Sequence, residues 1–145
     1  MCGVHLQTLY LNECGVFPTV LPRIKSSVIK KCNVDPDELD KDYKEFVLSK
    51  RRLFAKKYKN KINILPEPDL TASPFKYYRE SLGANVSRMG FAKDICVEPA
   101  GLYRLERVPL NKLPGRLTEA LLQVGLTPDN LEELEERTNE FYARS

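Results

Sequence analysis

The side chains best suited to chemistry are three thiols and one imidazole in the first third of the chain. Cys2 and His5 are three positions apart, and Cys14 and Cys32 follow at wider intervals. Zinc is commonly bound by such thiolate and imidazole groups, so these four residues form a candidate zinc site. Structural zinc sites normally have a second closely spaced ligand pair, which is missing here. Free thiols in a reducing compartment, either buried or near the terminus, are therefore the default interpretation, and the zinc site is the alternative.

Acid–base and nucleophilic catalysis find few candidate residues. His5 is the only histidine, which removes most histidine-based catalysis by serine or cysteine nucleophiles. Acidic pairs such as Asp37 and Glu38 fall at helix starts, where a solvated carboxylate is expected rather than a buried acid and base. The segment from Gly83 to Gly90 lacks the lysine and the preceding strand of a phosphate loop. We expect a protein that is not itself an enzyme and that has no cofactor.

The composition predicts one modest hydrophobic core. Hydrophobic residues make up 42% of the 145 residues and charged residues 30%, which is typical of a folded chain. Ten prolines and the absence of tryptophan indicate a thin core with frequent interruptions. No apolar run is long enough to span a bilayer, and we expect no cleaved secretory signal.

A cationic stretch from Lys50 to Lys61, KRRLFAKKYKNK, interleaves Phe54 and Tyr58 with lysine and arginine. Nucleic-acid binders often have this composition, because lysine and arginine neutralise phosphates. On a helix, however, both aromatic residues fall on the apolar stripe and the cations fall outside it. This pattern favours a helix end that faces solvent or acidic lipid headgroups. A basic RNA-binding or mitochondrial ribosome-associated protein is the alternative.

The strongest helix signal is Asp35 followed by Pro36, an N-cap residue and a proline at the first helical position. It predicts a helix from Pro36 to about Asn60, with Arg51 among the cations outside the apolar stripe. The predicted stripe comprises Leu39, Tyr43, Phe46, Val47, Leu53, Phe54 and Tyr58.

Proline and glycine positions predict the remaining elements. Further helices are expected to begin at Pro74, Pro99, Pro114 and Pro128, and the second long one has Thr127 as its start signal. Gly90 is predicted to lie in a turn. Leu122 is predicted to face the core, together with Leu117 and Leu121.

The result is an all-α fold of short helices around two longer amphipathic helices. Three segments are predicted: an irregular N-terminal arm (1–34), a basic amphipathic helix with a proline-rich linker (35–72), and a helical module (73–145).

One segment carries a recognisable pattern of aromatic, glycine, acidic and arginine positions. It reads Tyr77-Tyr78, Leu82-Gly83, Met89-Gly90-Phe91, Asp94-Ile95, Glu98, Arg107-Val108-Pro109 and Arg116. This pattern resembles the small matrix-side subunit that binds cytochrome b in mitochondrial ubiquinol–cytochrome c reductase (complex III), the subunit seven family. The resemblance covers about residues 75–130.

The resemblance has departures. Glu106 stands where the family has the first arginine of a pair, and Val108 stands where it has leucine. The family's tryptophan is absent, and residues 1 to about 70 are longer than the corresponding part of the family.

The resemblance implies a non-catalytic structural subunit that supports complex assembly and electron transport. It would lie peripherally on the matrix side of the mitochondrial inner membrane, without metal or haem. Its implied partners are cytochrome b and the core subunits, with acidic lipid headgroups in addition and no nucleic acid. The candidate partner-interface residues are Tyr77, Tyr78, Arg88, Arg107, Pro109 and Arg116.

Overall fold

The computed structural model describes residues 12–15, 17, 19–67, 71, 73–83, 87–107 and 115–144. Throughout these ranges the regular secondary structure is helical, which confirms the all-α prediction. The helices are α1 (Pro22–Cys32), α2 (Pro36–Lys57), α3 (Pro74–Ser81), α4 (Arg88–Asp94), α5 (Pro99–Arg107), α6 (Gly115–Gln123) and α7 (Pro128–Ala143).

The two long helices begin where the cap residues predict. The Asp35 side chain accepts a hydrogen bond from the backbone N–H of Asp37 and caps α2. The Thr127 hydroxyl accepts from the N–H of Asn130 and caps α7. Each cap satisfies a backbone N–H that has no partner within its own helix, so the helix boundary is encoded locally.

The buried face of α2 is narrower than the predicted stripe. Val47, Arg51 and Phe54 are its buried residues, at the i, i+4 and i+7 positions of one helix face. Phe46 and Leu53 are exposed, so their assignment to the core is wrong. Leu53 lies one residue, about 100° of rotation, away from Phe54, which turns its side chain out of the contact. The expectation that Arg51 faces solvent is also wrong.

Gly90 does not form the predicted turn, because it lies inside α4. The Ser87 hydroxyl accepts a hydrogen bond from the N–H of Gly90 at 2.9 Å and caps this short helix. Leu122 was predicted to face the core from α6, but it is 41% exposed. Gly125 follows α6 with a φ of +109°, a conformation that favours glycine, and the helix ends just before it.

The hydrophobic core crosses the predicted segment boundary at residue 72. The Phe54 ring of α2 meets the Phe91 ring of α4 edge-on, with centroids 5.6 Å apart. The Tyr78 hydroxyl of α3 donates to the Ile62 carbonyl at 2.6 Å. Residues on both sides of position 72 therefore share one core, and the division into three segments stays a prediction.

Candidate functional site

A buried carboxylate organises the segment that carries the resemblance. The Glu106 side chain of α5 is 0% exposed and accepts hydrogen bonds from the Nε atoms of Arg79 and Arg88, each at 2.7 Å. A buried charge is tolerated only when it is paired and hydrogen-bonded. Since Arg79 lies on α3 and Arg88 begins α4, Glu106 joins three helices.

In the sequence pattern Glu106 stands out only as a departure from the family. One signal could have identified it as buried. Glu106 follows Leu102 by four residues, so it lies on the apolar face of α5. An acidic residue on an apolar helix face predicts a partner, cationic or hydrogen-bonding, that compensates its burial.

The outer side of α4 and α5 presents two large apolar side chains beside a cation. Met89 is 44% exposed and Tyr103 is 46% exposed. The guanidinium carbon of Arg88 lies 4.9 Å from the centre of the Tyr103 ring, a cation–π geometry. We call Arg88, Met89 and Tyr103 the α4–α5 surface.

The other predicted interface residues have different surroundings. Tyr78 is fully buried, and this burial raises the pKa of its phenol. Tyr77 is half-buried on the same helix. Arg107 is the last residue of α5, but its side chain lies outside the described part of the chain, as does Pro109.

Arg116 makes its described contacts inside the protein. Its Nη2 atom donates to the carbonyl oxygens of Gly15, Phe17 and Cys96 at 3.2, 2.9 and 3.2 Å. The side chain thus ties α6 to the segment before α1 and to the turn after α4. In this arrangement Arg116 acts as an internal brace.

Arg51 makes a similar set of contacts from α2. Its Nε donates to the Ile95 carbonyl at 2.8 Å, its Nη2 to the Cys96 carbonyl at 3.1 Å, and its Nη1 to Gln123 Oε1 at 2.7 Å. Cys96 has a φ of +58°, so the chain reverses here just after α4. Carbonyls at a helix end carry partial negative charge, and the Arg51 guanidinium caps them.

Two neighbouring features complete this region. Lys50 Nζ donates to the Lys93 carbonyl at 2.8 Å, which adds a third cation, after Arg51 and Arg116, at the end of α4. Burial, together with the nearby Arg116, lowers the pKa of Arg51. An open cavity of about 310 Å³ adjoins both guanidinium groups. The carbonyl contacts hold Arg51, Arg116 and Lys50 within the fold.

The two aromatic residues of the cationic stretch differ in burial. Phe54 is buried, and its ring centroid lies 4.5 Å from that of the half-buried Tyr58. Single-stranded nucleic acid binds through bases that stack on exposed aromatic rings, in addition to phosphate neutralisation. The Phe54 ring is therefore directed into the core, while Arg52, Lys56 and Lys57 are exposed on α2.

The candidate zinc ligands divide between described and other residues. Cys2 and His5 lie outside the described part. Cys14 is half-buried and Cys32 is exposed, and both have free thiols. Within the described ranges, no group of three or more histidine, cysteine, aspartate or glutamate side chains is placed to hold a metal ion.

The helices in the described ranges include none with both the length and the apolar character needed to cross a bilayer.

Comparison with known proteins gives no match: no family model fits the chain, and no curated protein or solved structure is significantly similar to it.

Proposed function

We propose that this protein is a non-catalytic structural subunit of mitochondrial complex III that packs on the matrix face of cytochrome b, peripheral to the inner membrane. The observation that carries the proposal is the α4–α5 surface. Its exposed Met89 and Tyr103 lie within the segment that resembles the cytochrome b-binding subunit. Support for a respiratory-chain complex rests on that resemblance.

The chemistry of the α4–α5 surface is typical of protein interfaces. Methionine, tyrosine and arginine are enriched at interface centres, where a few large side chains provide most of the binding energy. Arg88 is held by Glu106 at 2.7 Å and by the ring of Tyr103. A side chain that is already held in place loses less conformational entropy on binding.

Two of the predicted interface residues, Tyr78 and Arg116, make their contacts within the protein. Tyr78 is buried, and Arg116 is engaged with three carbonyl oxygens of its own chain. We therefore assign the contact with cytochrome b to Met89 and Tyr103, with Arg88 between a buried carboxylate and the partner.

Affinity purification from the native host tests the assignment. The tagged full-length protein, extracted in mild detergent, should migrate with cytochrome b and the core subunits on blue-native electrophoresis. A Met89→Glu/Tyr103→Glu double variant should recover at least about tenfold less cytochrome b, because it places charge at the centre of an apolar contact.

Leu122→Glu is the matched control, since Leu122 is similarly exposed but lies on α6. It should recover cytochrome b at the wild-type level, and thermal unfolding should show that all the variants fold. Wild-type protein that migrates as a free monomer without cytochrome b would exclude the proposal.

A further inference from the structure

The carboxyl-terminal half of α2 presents one strongly exposed aliphatic side chain among cations. Leu53 is 68% exposed, the highest value among the exposed large hydrophobic residues of the described chain. Arg52, Lys56 and Lys57 are also exposed, at positions −1, +3 and +4 relative to Leu53. Residues three and four apart are neighbours on a helix surface. We call these four residues the Leu53 patch.

Of the two aromatic residues in the same stretch, Phe54 points into the core, and Tyr58 is half-buried beside Lys57. Phe54 packs against Tyr58 and Phe91, with ring centroids 4.5 and 5.6 Å away. Lys57 Nζ lies 5.3 Å from the centre of the Tyr58 ring, so its aliphatic stem runs along the protein surface. The patch thus combines cations with an aliphatic tip, and the Phe54 ring is directed inward.

We propose that the Leu53 patch docks on an anionic membrane surface. Leu53 would enter the boundary between headgroups and acyl chains, while Arg52, Lys56 and Lys57 pair with lipid phosphates. Surface-bound amphipathic helices use this combination of an apolar insertion and surrounding cations. The inference depends on α2 alone and holds whether or not the chain binds cytochrome b.

The border of the patch also has a defined shape. A depression of about 160 Å³ beside Leu53 is lined by Lys50, Phe54, Lys57 and Asp94 in addition to Leu53 itself. Lys50 Nζ is held by the Lys93 carbonyl, and Asp94 is the single carboxylate among the lining residues. Since a carboxylate repels phosphate, a headgroup is expected on the Lys57 side of the depression.

Vesicle sedimentation of the full-length protein tests the proposal. The protein should bind vesicles of phosphatidylcholine mixed with phosphatidylglycerol, and bind poorly to phosphatidylcholine alone. Added salt should weaken binding to the mixed vesicles, because it screens the attraction. Leu53→Asp and Lys56→Glu/Lys57→Glu should each lower the apparent partition coefficient by about tenfold or more.

Matched controls separate the patch from overall charge. Lys30→Glu/Lys31→Glu changes the net charge equally, at exposed positions in the last turn of α1. Leu122→Asp changes another exposed leucine, which has Glu119 one turn earlier on α6. Each control should lower the apparent partition coefficient by less than about half as much as the patch variants do.

Three results would overturn the proposal. The first is equal binding to neutral and anionic vesicles, and the second is an equal loss in patch and control variants. The third is binding of homopolymer RNA that outcompetes anionic vesicles and is lost in the patch variants, which would assign the cations to nucleic acid. The variants should unfold at the same temperature as wild type, so that a change in vesicle binding reflects the altered surface residues and not a loss of folding.

Discussion

Arg51 is the cation most deeply embedded in the described chain, at 2% exposure. Its guanidinium donates hydrogen bonds to the carbonyls of Ile95 and Cys96 and to the side chain of Gln123. A buried acceptor that loses its donor costs free energy, because no water replaces the lost hydrogen bond. We therefore expect Arg51 to stabilise the turn after α4, and we do not count it as part of the exposed cationic surface of α2.

Replacement of Arg51 by leucine should lower the free energy of unfolding by about 2–4 kcal/mol. The reason is that the Ile95 carbonyl loses its side-chain donor and the Cys96 carbonyl keeps only Arg116, while leucine replaces only the apolar stem. Urea denaturation followed by circular dichroism measures this change. Arg52→Leu, at the exposed neighbouring position, should change the same free energy by less than about 0.5 kcal/mol. Equal losses in the two variants would contradict the assigned role.

The short helices α4 and α5 contain glycines in contrasting surroundings. A Cβ added at Gly101 in α5 would meet no atom within 4 Å. A Cβ added at Gly90 in α4 would lie 2.9 Å from the Ser87 hydroxyl that caps the helix. The two positions have the same residue and the same secondary structure, but only one has room for a side chain.

Gly101→Ala should raise the free energy of unfolding by about 0.5–1 kcal/mol, because alanine loses less backbone entropy in a helix. Gly90→Ala should give no such gain, since displacing the Ser87 cap costs about 1 kcal/mol and offsets the better propensity. Thermal unfolding of the two variants beside wild type measures the difference. Equal stabilisation by both substitutions would show that the cap is not needed.

In the described part of the chain, the fold raises the pKa of three weakly acidic side chains, two phenols and one thiol. Burial raises the pKa of the Tyr43 and Tyr78 phenols and of the Cys96 thiol. The unfolded chain releases these protons at the ordinary pKa values, while the folded chain retains them to higher pH. Their contribution is therefore fully present at neutral pH and is lost as pH rises toward the folded-state pKa values.

Stability should accordingly decline as pH rises above about 9, first through the thiol and then through the phenols. Urea titrations at a series of alkaline pH values measure the decline. Tyr78→Phe should be less stable than wild type at neutral pH, since Ile62 loses its hydrogen-bond donor. The same variant should lose less stability between neutral and alkaline pH. An unchanged slope would show that Tyr78 does not titrate with unfolding.

The sequence alone determined the helix boundaries that depend on nearby residues. Asp35 caps α2 through an N–H only two residues away, and Thr127 caps α7 through one three residues away. Such hydrogen bonds form within a single turn, so the local sequence specifies them without reference to the rest of the chain. The all-α class follows from the same local signals.

Only the tertiary structure decided which charges are buried. Arg51 reaches a carbonyl 44 residues away, and Arg79 reaches Glu106 across 27 residues. A charged side chain leaves water only where a distant partner compensates its desolvation, and helix periodicity does not identify that partner. Helix periodicity likewise does not show which apolar residues meet another helix. Leu53 falls on the apolar stripe by its spacing, but the structure leaves it exposed and available to a partner.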